Sequence, residues 1–388
     1  SWSLYFIVLC YGHHRDLHII GRRQRQNVYK SQLCKTSLYV WTCSHYLWRF
    51  KRSAKEYYCQ IRTGTLTMNF NLSDEQNMLK DSVARFVQDE YDFDSRRASA
   101  ASELGFNPAN WQTFADLGWL SIPFDEEHGG FGGGATDVMA VMEEMGKGLV
   151  VEPFVATVLM FGGLLNKSGN AALKDTNIEQ IIDGSLQGAF AYLERQSRFE
   201  LADVKTHAKR DGDYFILNGE KTVVSNGVAA NKVVVSARTS GGQCDEEGIT
   251  LFLIDSDAQG LERTAYRLMD GQLVANIKLT NVRVAADHVV GGVDQGYTLI
   301  EAVVAEVIIA LCAEAMGIMQ KLNATTIEYT KTRKQFGVAI SSFQALQHRM
   351  VDMFMAGEQA KSMLSRVVCA CVFYTLVVAE LLCVHSGR

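Results

Sequence analysis

Two parts of the sequence carry residue types and spacings that could do chemistry. Residues 128–134 read His-Gly-Gly-Phe-Gly-Gly-Gly, which is similar to a loop that cradles phosphate. Gln344 and His348 lie four residues apart, so on a helix their side chains share one face. A phosphate loop follows a strand and ends in Lys and then Ser or Thr, and neither feature is found here. We therefore predict that the glycine run is a flexible connection and that Gln344 and His348 are structural.

The composition limits the function classes. Of the 388 residues, 47% are hydrophobic and 21% are charged, a balance typical of a globular protein with a large core of about two to three domains. This excludes a disordered chain, a collagen-like repeat and a disulfide-stapled mini-protein. The net charge of −5 gives no reason to expect a nucleic-acid partner. Seven of the nine cysteines lie in residues 1–67 and 367–388, so the middle of the chain is typical of a reduced, cytoplasmic protein.

The first 67 residues differ from the rest. They hold 11 Lys and Arg against 2 Asp and Glu, which leaves a net charge of −14 on the remainder. A targeting peptide, a nucleic-acid arm and sequence foreign to the fold are the alternatives. The apolar residues 4–10 precede the basic ones, the reverse of a secretory signal, and Met68 comes directly before an orderly helix start. Our hypothesis is that translation begins at Met68 and that residues 1–67 are read-through of upstream sequence.

Residues 367–388 are predicted to be a divergent apolar tail. Residues 367–379 carry no charge, but this stretch is shorter than the roughly 18–20 residues that span a bilayer. It fits neither a clean amphipathic helix nor a membrane anchor, and we predict no membrane span. A frame error or truncation near Arg366 is the interpretation that we favour.

A helical N-terminal domain is predicted over residues 68–186. Ser73 and Gln76 have the spacing of a capping box, and Asn107-Pro108 is typical of a helix start. The second of these helices has three apolar residues at helical spacing: Trp111, Phe114 and Leu117.

A central β-domain is predicted over residues 187–290. Asp-Gly at 211–212 and Asn-Gly at 218–219 and 226–227 are turn signals between segments rich in β-branched and aromatic residues. The predicted strands are 214–217, 232–237, 249–254 and 275–284.

A C-terminal helical domain, incomplete as a bundle, is predicted over residues 291–366. It has a long helix over about 295–331 and a second from about 342. The apolar stripe of the long helix is predicted to be Val304, Ile308, Leu311, Ala315, Met319, Leu322, Thr326 and Tyr329. The order α, β, α predicts an α+β fold and excludes a doubly wound nucleotide fold, because no βαβ repeat is present.

Several strings in this α–β–α order are similar to those of a known family. Residues 329–337 read Tyr-Thr-Lys-Thr-Arg-Lys-Gln-Phe-Gly, and residues 343–348 read Phe-Gln-Ala-Leu-Gln-His. Residues 212–221 read Gly-Asp-Tyr-Phe-Ile-Leu-Asn-Gly-Glu-Lys, followed by Ser-Asn-Gly at 225–227. Over about residues 68–366 the chain resembles the acyl-CoA dehydrogenase family of flavoproteins.

The resemblance implies FAD as cofactor and oxidation of an acyl-CoA to the 2,3-enoyl-CoA, with a proton leaving Cα and a hydride leaving Cβ. Backbone groups of Tyr192 and Leu193 and the hydroxyl of Ser225 are expected to bind the flavin ring. Val223 takes a position where many members have a Trp packed on the ring. Read alone, Ser225 is equally compatible with an ordinary turn residue.

The same resemblance implies that Arg333 and Phe336 reach the FAD of a neighbouring subunit. The planar fork of an arginine suits a pyrophosphate because it binds oxygens in pairs. Read alone, Arg333 is better explained as a cation at the C-terminus of the long helix.

The catalytic base and the substrate loop depart from the family pattern. Many members have a Glu in the C-terminal region, and others have it early in the long helix, where Glu306 is one residue out of register and Val307 takes the matched position. Glu306 is the candidate base, and the alternative is a solvated or ion-paired helix residue. Arg198 lies where members have small residues; it is expected to contact a phosphate or a substrate carboxylate, or else to be a surface residue.

The leading hypothesis is an FAD-dependent acyl-CoA dehydrogenase that forms the small subunit of a heteromeric enzyme acting on a dicarboxylyl-CoA or a related CoA thioester. Residues 194–198, 201–204 and 311–315 are similar to the small subunit of pimeloyl-CoA dehydrogenase. The expected partners are acyl-CoA, a large-subunit homologue or a second copy, and electron-transfer flavoprotein or a similar acceptor. The alternatives are a non-catalytic partner subunit at the FAD site, a flavin oxidase or monooxygenase on the same fold, and a flavin-free scaffold.

Overall fold

The structure is a computed structural model that describes the backbone of residues 72–386 and the side chains of residues 72–371. The predictions for residues 1–67 lie outside the described residues. Helices come first along the described chain, an eight-stranded sheet follows, and two long helices come last. The predicted α+β class, with a β-region between two helical regions, is confirmed.

The N-terminal region consists of short helices with local start signals. Ser73 caps the first helix: its hydroxyl accepts from the Gln76 amide (3.2 Å), and the Gln76 side chain accepts from the Ser73 amide (3.0 Å). The predicted capping box is therefore confirmed. The helices are α1 Asp74–Asp89, α2 Phe93–Ala101, α3 Pro108–Asp116, α4 Ala135–Gly148, a π-helical segment Val155–Gly162, α5 Gly163–Lys167 and α6 Ala171–Ile182.

Helix α3 begins as predicted but ends differently. Asn107 caps it, and Trp111 and Phe114 are buried. The prediction that Leu117 shares their face is wrong, since its side chain is 47% exposed. Leu117 is already the C-cap, and Gly118 turns the chain with a φ of +74° so that Trp119 packs inward in its place.

The glycine run 128–134 packs against its own chain. The Gly132 amide donates to the Phe124 carbonyl and the Gly133 amide to the Ile122 carbonyl, both at 2.7 Å. A Cβ on Gly130 or Gly133 would collide with backbone oxygens. The run therefore connects closely packed elements, whereas its predicted flexibility stays a prediction, and these amides are already used within the protein.

The sheet holds the strands in the order β6-β7-β3-β2-β4-β5-β8, and β1 pairs with β4. Strands β1 and β2 run parallel to β4, and the remaining pairs within this sheet are antiparallel. The strands are β1 Gly188–Ala191, β2 His207–Asp211, β3 Tyr214–Ser225, β4 Lys232–Arg238, β5 Ile249–Asp255, β6 Leu261–Arg267, β7 Leu273–Ala285 and β8 Val289–Val290.

One predicted turn is part of a strand. The turns at 211–212 and 226–227 are confirmed, with Gly212 at φ +62° and Asn226 at φ +57°. The prediction at 218–219 is wrong because β3 continues through it, with a shift of register against β7 between Leu217 and Gly219. Gly219 supplies a φ of +153° at this bulge, where Thr206 packs too closely for a Cβ.

The long helix α7, Gly296–Thr332, buries a different face from the one predicted. Its buried residues include Ile300, Val303, Val307 and Ala310, whereas Ile308 is 55% exposed. The predicted stripe is about one residue out of phase, which turns a helix face by roughly 100°. Apolar residues occur on both faces of α7, so the apolar pattern did not show which face is buried. The buried face is the one whose small residues fit a neighbouring helix.

Two glycines set the packing of α7 on α4. A Cβ on Gly317 of α7 would collide with the Glu143 carbonyl, and a Cβ on Gly146 of α4 would collide with the Glu314 carbonyl. The backbones approach reciprocally at these two points. By length and composition α7 is the only described helix that could cross a membrane, but its inner face is used for this packing.

The chain ends in a second long helix. A short hairpin of β9 Lys334–Gln335 and β10 Val338–Ala339 leads into α8, Gln344–Ser386. The described part of the predicted divergent tail continues α8 as far as Ser386. Gln344 and His348 are exposed on its first turns.

We expect Gly317→Ala to lower the free energy of unfolding by about 1–3 kcal/mol, because the new methyl group meets backbone that cannot move aside cheaply. The matched control is Gly163→Ala in α5, whose Cβ would lie 3.6 Å from Val303 in ordinary contact. That variant should be neutral or stabilised by up to about 1 kcal/mol. Chemical denaturation measures both, and equal effects would contradict the reciprocal approach of the two helices.

Candidate functional site

The candidate site lies at a break between β1 and β2, which both run parallel to β4. β1 pairs with β4 from Gly188↔Lys232 to Ala191↔Val235, and β2 meets its far end at His207↔Arg238. Residues 192–206 connect β1 to β2 and belong to neither strand. The Leu193 carbonyl accepts instead from the Thr222 amide of β3 at 2.8 Å. The segment after β1 therefore lies against β3, next to residues 223–225.

A buried ion pair fills the interior behind this break. Lys221 is 0% exposed, and its ammonium donates to Glu194 (2.7 Å), Ser236 (3.0 Å) and the Tyr192 carbonyl (3.5 Å). Three more donors meet the Glu194 carboxylate: the Lys205 amide (2.8 Å), the Thr206 amide (3.0 Å) and the Gln196 side chain (2.7 Å). The described structure thus gives this carboxylate four donors.

Burial and pairing shift both pKa values of this pair. Burial lowers the pKa of Lys221 to about 8, although the Glu194 carboxylate opposes the shift. Burial alone would raise the pKa of Glu194, but the Lys221 ammonium and the hydrogen bonds outweigh it and lower the pKa to about 2. The carboxylate is therefore ionised across the physiological range.

Backbone donors are available where β1 ends. Within the described residues, the amides of Tyr192 and Leu193 donate no hydrogen bond, and both residues are only partly buried. The Tyr192 ring stacks on Phe190 with centroids 4.8 Å apart. These two amides can therefore donate to a ligand that carries acceptor atoms at this position.

The adjoining end of β3 has an unusual backbone. Val223 has a φ of +53°, which is strained for a β-branched residue, and its amide donates to the Asn276 side chain at 3.3 Å. Ser225 is exposed at the end of the strand. The next residue, Asn226, donates to Thr157, Gln187 and the Gly188 carbonyl, each at 3.2 Å. This turn is thereby tied to the π-helical segment and to β1.

Arg198 lies in the segment anchored by Glu194. It is exposed, has a φ of +48°, and makes no hydrogen bond or ion pair with another described residue. Arg195 in the same loop is also exposed. The loop therefore presents the Arg198 guanidinium without a partner among the described residues, two positions from the exposed Glu200.

Glu306 lies apart from this group. Its side chain is 58% exposed and its carboxylate pairs with Lys167 at 3.0 Å. Its neighbour Val307 is buried on the inner face of α7. As a catalytic base Glu306 remains a prediction, and its position matches the alternative of an ion-paired helix residue.

Arg333 and Phe336 lie on the hairpin that follows α7. Phe336 and Gly337 have φ values of +53° and +80°, as a two-residue type I′ turn requires. The turn holds the Phe336 ring 92% exposed, and Arg333 caps the C-terminus of α7. These two residues point outward from the described chain, which is the geometry needed to reach another molecule.

The structure therefore brings together four of the predicted site residues: Tyr192, Leu193, Val223 and Ser225. Arg198 belongs to the loop that starts there, whereas Glu306, Arg333 and Phe336 lie elsewhere. Sequence reasoning missed Glu194, Lys221 and Asn226. The sequence did carry a signal for Lys221. Alternate residues of a strand face the same side, and Lys221 lies an even number of positions from the buried Phe215 and Leu217 in β3.

Comparisons with known proteins agree with this architecture. Residues 73–185, 189–282 and 294–374 match the N-terminal, middle and C-terminal domains of acyl-CoA dehydrogenase. The chain is 31% identical to the probable acyl-CoA dehydrogenase YngJ of Bacillus subtilis, covering 76% of this chain and 79% of the relative. It is 29% identical to the mitochondrial isovaleryl-CoA dehydrogenase of Pongo abelii, covering 73% and 68%.

Solved structures show the same fold. The FAD complex of PigA superposes with a TM-score of 0.72 at 27% identity, covering 77% of this chain and 79% of that one. A structure from work on the electron-transferring flavoprotein of Acidaminococcus fermentans also gives a TM-score of 0.72 at 27% identity, covering 78% and 80%.

The chain belongs to the acyl-CoA dehydrogenase family. It is an oxidoreductase of the acyl-CoA dehydrogenase type, and its cofactor is FAD. The residues present fit that cofactor, since the available amides of Tyr192 and Leu193 and the exposed Ser225 hydroxyl are donors and the flavin ring carries acceptors.

We expect the ionised Glu194 carboxylate to stabilise the fold, and we expect this stabilisation to be lost as the pH falls. Its pKa is about 2 in the folded state and 4.5 in its ordinary state, so its stabilising contribution is complete above pH 4.5 and is lost as the pH falls towards 2. Thermal melts of the wild type and Glu194→Gln between pH 5 and pH 3 test this. The wild type should lose more stability over that interval than the variant, and parallel curves would contradict the assignment.

Proposed function

We propose that this chain oxidises an acyl-CoA thioester to the 2,3-enoyl-CoA, with the flavin ring of FAD bound where β1 and β3 end side by side. The observation that carries this proposal is the pair of partly buried amides at Tyr192 and Leu193, which lie against Thr222 of β3. Bound FAD supplies the acceptor for the hydride that leaves Cβ.

Each predicted residue has a separate task in this proposal. The Tyr192 and Leu193 amides and the Ser225 hydroxyl donate to the polar edge of the ring, and Val223 packs on it. Arg333 and Phe336 contact the FAD of a neighbouring subunit, which their outward position on the β9–β10 hairpin supports. The neighbouring subunit is a second copy or a large-subunit homologue.

The substrate class follows from Arg198. An exposed guanidinium without a partner among the described residues suits a free carboxylate at the far end of an acyl chain, or a phosphate of CoA. We propose a dicarboxylyl-CoA as substrate, in a heteromeric enzyme of the pimeloyl-CoA type. Electrons pass on to electron-transfer flavoprotein or a similar acceptor in the cytoplasm.

The function is tested by anaerobic titration of the FAD-loaded protein with paired acyl-CoA thioesters, each pair having equal chain length and either one or two carboxylates. Loss of the visible flavin absorbance identifies a substrate. We expect bleaching, with a preference of about tenfold for the dicarboxylyl member that Arg198→Ala removes. Lys205→Ala is the matched control. A flavoprotein that no acyl-CoA bleaches contradicts the proposal, and a preference for the dicarboxylyl member that Arg198→Ala leaves undiminished contradicts the substrate class.

A second candidate function is a partner subunit that helps form the FAD site without supplying the base. The observation in its favour is that Glu306 is exposed and paired with Lys167 while Val307 takes the inner position. The flavin oxidase alternative makes a different prediction, the formation of peroxide during turnover in air.

Glu306→Gln tests whether Glu306 is the base of the first candidate. If Glu306 is the base, this variant binds FAD normally but loses bleaching by substrate, because an amide does not accept the Cα proton. Glu301→Gln on the same helix is the control and should bleach as the wild type does. Unchanged bleaching in Glu306→Gln assigns proton removal to another group and rules out Glu306 as the base.

A further inference from the structure

The buried Lys221–Glu194 pair joins three parts of the molecule at one point. Lys221 is on β3, Ser236 is on β4, and Glu194 is in the segment that leaves the sheet after β1. The Lys221 ammonium links β3 to the other two, through Ser236 and through Glu194 and the Tyr192 carbonyl. From this we propose that Lys221 and Glu194 form a positioning pair, which holds the backbone of Tyr192 and Leu193 in place for FAD and ties the Arg198 loop to the same point. The inference rests on the flavin position proposed above.

The Lys221 side of the pair sets the geometry where β1 ends. Residues 192–193 have left the pairing with β4, and the Thr222 amide bonded to Leu193 is one of the contacts that hold them to β3. The Lys221 ammonium adds a second contact one residue earlier, at the Tyr192 carbonyl. The Tyr192 carbonyl shares its peptide plane with the Leu193 amide, so holding this carbonyl fixes the direction of that amide, whereas the Tyr192 amide shares a plane with the carbonyl of Ala191, the last residue of β1.

The Glu194 side sets the geometry of the loop. One carboxylate accepts from Gln196 just after it and from the Lys205 and Thr206 amides eleven and twelve residues later. The Glu194 amide also donates to Ser197. The two ends of the loop that carries Arg195 and Arg198 are thus tied to the group that pairs with Lys221.

Stability alone does not account for this pair. Replacing a buried ion pair by apolar residues of similar size is often neutral or stabilising, because the desolvation of two charges is avoided. What apolar residues cannot provide is a set of directed hydrogen bonds to the Tyr192 carbonyl and to the Lys205 and Thr206 amides. The pair therefore serves the geometry of the backbone that faces the cofactor.

The test compares four full-length proteins: the wild type, Lys221→Met, the double variant Lys221→Met/Glu194→Met, and Lys232→Met as control. Lys232 lies on β4 of the same sheet and donates to Asn177 at 2.8 Å, away from the break. Each protein is measured for thermal stability, for FAD affinity by titration, and for the visible spectrum of its bound flavin.

Lys221→Met should lose both stability and FAD affinity, because it leaves an unpaired buried carboxylate. The double variant should regain stability, yet its FAD affinity should remain weaker than that of the wild type by about tenfold or more, and its flavin spectrum should be shifted. Lys232→Met should match the wild type in both affinity and spectrum. A double variant that is stable and binds FAD with wild-type affinity and spectrum overturns the inference.

A milder variant keeps the inference testable if the double variant does not fold. Glu194→Gln has the same shape but puts an amide where the carboxylate faces four donors, so FAD affinity should fall several-fold and unchanged affinity would overturn the proposal. If the wild type and the control bind FAD while these variants also bind it normally, only the positioning role fails. If the wild type binds no FAD, the proposed function fails with it.

Discussion

A lysine ammonium inside a β-sheet is tolerated only when an opposite charge and hydrogen-bond acceptors lie within reach, and the sheet of this protein is built around such a site. Lys221 is fully buried between β3 and β4, and the carboxylate that meets its charge comes from the segment that interrupts the sheet. The interruption is thereby fixed in place. The chain leaves the sheet after β1, presents two backbone amides and returns as β2. Both β1 and β2 stay paired with β4.

The helical regions support this arrangement from outside. The π-helical segment contacts both β1 and α7, and its buried Thr157 accepts from Asn226 in the turn after β3. Helix α7 in turn packs on α4 through the paired glycines Gly146 and Gly317. The turn beside the ring-binding position that we propose is therefore tied to helix α7 through the π-helical segment. The Arg333–Phe336 hairpin extends from the C-terminal end of the same helix α7.

Local signals in the sequence predicted local features well. Ser73 and Gln76 predicted the first helix, and Gly212 and Asn226 predicted two turns, because each depends on hydrogen bonds or φ values within a few residues. Asn218-Gly219 was wrongly predicted to be a turn. The positive φ that glycine allows also occurs at a β-bulge inside a strand that continues. The inner face of α7 was mispredicted because Ile308 is as apolar as Val307, and only the contact with α4 decides between them.

The candidate site was predictable in part for similar reasons. Strings shared with the acyl-CoA dehydrogenase family predicted where Tyr192, Leu193, Val223 and Ser225 lie, and the structure places them side by side. The pairing of Glu194 with Lys221 joins residues 27 apart in the chain and depends on the three-dimensional path of the interruption. Composition and periodicity carry no information about such a pairing. The position of Glu306 likewise depends on the rotation of α7, which the sequence left open.

Hydrogen–deuterium exchange of the backbone amides at Tyr192 and Leu193, with and without FAD, tests the central claim most directly. Because these amides donate to no described residue in the free chain, they should exchange rapidly and become strongly protected when FAD binds. Slow exchange that FAD leaves unchanged, in a protein shown by its absorbance to carry the cofactor, would contradict the account, since the flavin would then be bound elsewhere.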